Sequence, residues 1–70
     1  MTMTEAAKIV LGQMGRPMRT VDLVREIESK GLFKFGAKKP ESVLSGALSK
    51  RPDIFVRTAP ATYGLKASES

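Results

Sequence analysis

Seventy residues allow one small domain at most, and a chain of that size buries only about 60% of the surface it exposes when unfolded. The net charge of +5 and a pI near 10.0 point to an anionic partner, with nucleic acid first among candidates. With no cysteine and no histidine, the chain has no disulfide and lacks the common metal and nucleophile sets, so neither an enzyme nor a cofactor is expected.

No apolar run exceeds the length of Ile9-Val10-Leu11, far short of a membrane span. The N-terminus lacks the charged-then-apolar layout of a signal peptide. These features lead us to expect a soluble cytoplasmic, nucleoid or nuclear protein with no small-molecule substrate.

Thr2 and Glu5 have the spacing of a capping box, with Thr4 as an alternative cap. They open a first helix whose Ala7, Val10, Leu11 and Met14 recur at i, i+3, i+4 and i+7, predicting one buried face. Glu5 and Lys8 are spaced to pair on the outside. Gly12 inside the helix costs about 1 kcal/mol against alanine and suggests close approach of a neighbouring helix. Gly15 and Pro17 end the helix.

Pro17-Met18-Arg19 is short, but it can add to a sheet edge, where proline is tolerated. Thr20 is expected to cap a second helix, Val21 to Lys30, with Leu23, Val24 and Ile27 as its apolar stripe. Asp22 and Lys30 suit the two ends of the helix dipole, and Glu26 and Lys30 stand in the favourable i, i+4 order. Gly31 is the expected left-handed stop. Leu32 or Phe33 should then plug the core. Phe35 fits either the core or, between Lys34 and Lys38, a partner contact.

A third helix follows from Lys39 to Lys50, with Pro40 in its first turn, where a missing N–H is harmless. Val43, Leu44, Ala47 and Leu48 read as its buried stripe. Ser42, Ser45, Gly46 and Ser49 form the opposite face, which lacks long charged side chains. Residues 1–33 hold five basic and four acidic side chains, residues 34–70 seven and three, and residues 34–51 five and one. The positive field is thus concentrated around the third helix. Asp53 marks a turn, Ile54 to Arg57 a strand, residues 58–62 a five-residue hairpin loop, and Tyr63 to Lys66 a second strand. Phe55 should be buried, with Arg57 reaching water at the strand end. Ala67 to Ser70 read as a flexible tail or linker, leaving residues 2–66 as the domain.

Three helices packed on a small antiparallel hairpin make an α+β fold, the winged helix-turn-helix. The chain also resembles the HARE-HTH domain family from Thr4 to about Lys66. The features that carry this are Glu5-Ala6-Ala7, Gly15-Arg16-Pro17-Met18, Glu26-Ile27 with Gly31-Leu32, Lys39-Pro40-Glu41, and Phe55-Val56-Arg57 followed by Pro60-Ala61-Thr62-Tyr63-Gly64-Leu65. The family occurs in additional-sex-combs-like chromatin proteins, in RNA polymerase delta subunits and beside restriction-type nucleases. The resemblance implies a DNA-binding or chromatin- and polymerase-associated adaptor and no catalyst. Two positions depart from the pattern. Lys39 stands where the family often has a threonine cap, and Ala61 where the wing often has glycine.

The favoured expectation is a module for double-stranded DNA, with the third helix as recognition helix. Lys38, Lys39, Ser42, Ser45 and Ser49 would lie at the DNA. Lys34, Lys50 and Arg51 would widen the positive patch, and Arg57 and Thr62 would reach the flanking backbone or minor groove. Serine specifies bases weakly, so backbone affinity should dominate. The alternative is a protein-interaction adaptor or a partner of a fused effector domain, using the acidic residues Asp22, Glu26 and Glu28 of the second helix.

Overall fold

The computed structural model describes residues 1–66. The tail or linker expected at 67–70 lies outside the described residues. Three helices, α1 (Met3–Met14), α2 (Thr20–Ser29) and α3 (Pro40–Ser49), pack on a three-stranded antiparallel sheet of β1 (Met18–Arg19), β2 (Phe55–Ala59) and β3 (Thr62–Leu65). The strand order is β1-β3-β2. The winged-helix expectation therefore holds, and the short Met18-Arg19 segment does join the sheet, pairing with Tyr63 and Thr62.

The helix ends follow local chemistry. The capping box of α1 forms: Thr2 Oγ1 accepts from the Glu5 amide at 3.2 Å, and Glu5 Oε1 accepts from the Thr2 amide at 3.2 Å. With its carboxylate held there, Glu5 makes no ion pair with Lys8 among the described residues. Gly15 and Gly31 both sit at positive φ, 67° and 68°. At the end of α2 the Leu32 amide donates to Ile27 O at 3.0 Å and the Gly31 amide to Glu28 O at 3.1 Å, the paired bonds of a Schellman stop. Glu26 and Lys30 pair at 3.9 Å.

The start of α2 differs from expectation. Arg19, with no side-chain hydrogen bond, is the N-cap, and Thr20 is the first helical residue and is buried. A tertiary bond replaces the side-chain cap: the Thr20 amide donates to Ala61 O at 2.9 Å. The hairpin tip is thereby tied to the first turn of α2.

Buried residues from all three helices and the sheet make one core, with Leu11, Leu23, Ile27, Leu44 and Leu48 as its largest fully enclosed side chains. Leu32, Phe33 and Phe35 close its edge half-buried, and the two phenylalanine rings meet edge to face at 5.0 Å. Phe35 is thus an edge-of-core residue. Met14 was expected on the buried face of α1 but is 37% exposed, because it is the last residue of α1 and the chain turns away at Gly15. Gly12 meets no helix. A Cβ there would lie 3.9 Å from Leu65 Cδ1, so its neighbour is β3.

The hairpin is tighter than predicted. β2 runs on to Ala59 with an irregularity between Arg57 and Ala59, so the loop is the two residues Pro60-Ala61. Ala61 takes φ 56°, a region that disfavours a Cβ. Gly64 is buried, and a Cβ there would stand 3.1 Å from Pro17 Cγ. Packing on Pro17 therefore leaves no room for a side chain.

Candidate functional site

Leu44 and Leu48 alone on α3 are fully buried. The helix therefore rests on a narrow line, and residues on both flanks emerge to solvent. Val43, expected inside, is 43% exposed. Alanine 47 is half-buried. At about 100° per residue, Lys39, Ser42, Val43, Gly46 and Lys50 fall on one outward side. The last four line a shallow groove together with Ala47, Arg51 and, from the start of α1, Met3 and Thr4. No heavy atom lies within 4 Å of where a Gly46 Cβ would be, so nothing inside the domain requires glycine there.

Charge brackets this side. Lys38 and Lys39 are exposed before the first turn, and Lys50 and Arg51 are exposed after the last. Lys39 and Lys50 stand about three turns apart, roughly 16 Å along the axis. Lys39 is the N-cap without a side-chain cap bond, and Pro40 follows in the first turn. Its ammonium is thus left to solvent. Arg51 leans towards Asp53 at 3.7 Å, an exposed and weak pair. Lys34 is exposed in the α2–α3 connection.

The serines divide. Ser42 is exposed on the outward side. Ser45 and Ser49, one turn apart, turn instead towards β3: their Oγ atoms lie 3.1 and 2.9 Å from Tyr63 Oη. A phenol has one proton, so at least one of these serines must donate to it. No more than one serine proton is then left for an outside partner. The bonds from Ser45 and then Ser49 hold the Tyr63 phenol below its ordinary 10.0, against the effect of burial, and the Arg57 charge acts in the same direction. This corrects the picture of a free serine face. Half of it is a latch between α3 and the wing.

Arg57 is exposed and pairs in register with Tyr63. It shares a small groove with Leu48, Ser49, Pro52, Phe55 and Tyr63, which sets it beside the C-terminal half of α3. Thr62 is elsewhere. It is half-buried, its hydroxyl donates to Pro60 O at 3.1 Å within the turn, and it lines a groove on the α2 side with Arg19 and Asp22. Thr62 therefore does not join the α3 surface. The acidic residues of α2 are not a uniform acidic face either: Asp22 and Glu26 share that groove with Arg16, Arg19 and Arg25.

Sequence reasoning missed Tyr63 as the latch and Val43 as a surface residue. The spacing of Ser45 and Ser49 by one turn, in a chain with one tyrosine, was the available signal for the first. Among the described residues no group of His, Cys, Asp or Glu is placed to hold a metal ion, and no helix is long and apolar enough to cross a membrane.

No curated protein and no solved structure matches the chain at a significant level. A family model does, over residues 1–68, essentially the whole length. With the three helices, the antiparallel sheet and the paired α2 and α3 already described, that match identifies the chain as a member of the HARE-HTH family, the ASXL and restriction endonuclease HTH domain.

Proposed function

We propose that this domain binds double-stranded DNA through the outward side of α3, chiefly by neutralising backbone phosphates. The observation that carries this reading is the pairing of a slim, uncharged helix face, Ser42-Val43-Gly46, with cations at both ends, Lys38 and Lys39 before it and Lys50 and Arg51 after it. An α-helix fits the major groove when its outward side chains are short. Lysines at its ends then meet phosphates, which fix register and orientation.

Arg57, beside Ser49, extends the contact from the wing. Lys34 adds charge from the connecting loop. Ser42 is the serine with a donor to offer, and Ser45 and Ser49 contribute mainly by holding the wing to the helix. Thr62 has no part in this surface. With few strong base readers on the face, sequence preference is modest.

A salt series tests the reading. Neutralising four to six phosphates gives log K against log salt a slope of roughly −4 to −5. Backbone amide shifts on titration with duplex DNA should centre on residues 38–51. A slope near zero, or no amide shift at low salt, refutes DNA binding and favours the protein-adaptor alternative.

A further inference from the structure

The α3 surface has one side chain that backbone binding leaves unexplained. Val43 is a large apolar residue, 43% exposed, in the middle of the outward side. It shares a groove with Ser42, Gly46 and Lys50, and Met3 and Ala47 border it. A helix position that is solvent-facing and flanked by cations ordinarily holds a charged or polar residue. Valine there is also a poor helix former. Its γ-methyls are the most prominent apolar group between Lys39 and Lys50.

From this we infer that Val43 reads the C5-methyl group of thymine in the major groove, giving the domain a preference for thymine-containing sites. The inference rests on the DNA-binding reading above. Thymine is the one ordinary base that offers an apolar group in the major groove, and apolar side chains are the ones that recognise it. The position suits the contact. Lys39 and Lys50 lie on the same side of the helix, so phosphate contacts at both ends would seat the middle of α3, where Val43 stands, against the base edges. Gly46, with open space around it, sits one turn further on and puts no side chain between Val43 and the groove floor.

The experiment compares two duplexes identical in sequence, one with thymine and one with deoxyuridine at every such position. Only the C5-methyl groups differ. Wild type should bind the thymine duplex about fourfold more tightly for each methyl it buries, from about 0.8 kcal/mol per buried carbon. Val43→Ser should bind both duplexes with one affinity, that of wild type for the deoxyuridine duplex. Circular dichroism of the variant confirms the fold, which an exposed site should preserve. Equal binding of both duplexes by wild type overturns the methyl contact and leaves DNA binding standing, as does discrimination that survives in Val43→Ser. Failure of either duplex to bind at low salt overturns both readings.

Discussion

Replacing Tyr63 by phenylalanine deletes one oxygen and, with it, both bonds to α3. The ring is 95% buried by area, with 5% exposed, so phenylalanine keeps the packing and the change isolates the hydroxyl. Each hydrogen bond contributes about 0.5–1.5 kcal/mol net. Ser45 is half-buried and Ser49 exposed, so water can satisfy them afterwards and no full desolvation penalty is added. The loss should be about 1–2 kcal/mol, in a domain whose whole stability is of the order of 4–10 kcal/mol. For a chain of this size that lowers Tm by roughly 5–15 °C. Urea and thermal unfolding monitored by circular dichroism measure it.

A double-mutant cycle makes the test specific. In wild type, Ser45→Ala with Ser49→Ala loses the same bonds, offset in part by the better helix propensity of alanine, about 0.5 kcal/mol per site. In the Tyr63→Phe background the bonds are already gone, and the serine changes should be neutral or stabilising. Strictly additive effects, or an unchanged Tm for Tyr63→Phe, would show that the latch carries no stability.

Three other outcomes are expected. The capping bonds from the Thr2 amide and then its hydroxyl hold the Glu5 carboxyl below its ordinary 4.5. Its folded pKa is depressed, so its contribution is fully present above 4.5 and is lost as pH falls through the lower folded value. The stability gap between wild type and Glu5→Gln, read by urea unfolding, should therefore shrink between pH 6 and about pH 3, and a pH-independent gap would contradict this. Ala61→Gly relieves the left-handed backbone at the wing tip and should stabilise the fold by about 1 kcal/mol in thermal unfolding. Gly46→Ala should likewise stabilise α3 by about 1 kcal/mol, while weakening duplex binding in a fluorescence titration, since the added methyl stands on the outward side; tighter binding would place the contact elsewhere.

Interactions within a few residues were legible before any fold was known. The Thr2–Glu5 box, the stops at Gly15 and Gly31, the Glu26–Lys30 pair, the order of helices and strands, and the cations around residues 34–51 depend on local backbone geometry or on composition, which the chain carries in its own order. What the amino-acid order alone did not decide was which side of α3 faces in. Val43 and Leu44 are both good core residues, and the choice between them depends on where α1 and the sheet lie. Likewise, Thr20 has the chemistry of a cap, but the Ala61 carbonyl, distant along the chain, takes the amide at that helix start. Ser45 and Ser49 look like free hydroxyls until Tyr63, 18 and 14 residues on, is folded against them. Such contacts form between residues that chain closure alone brings together, and a sequence pattern has no means of recording them.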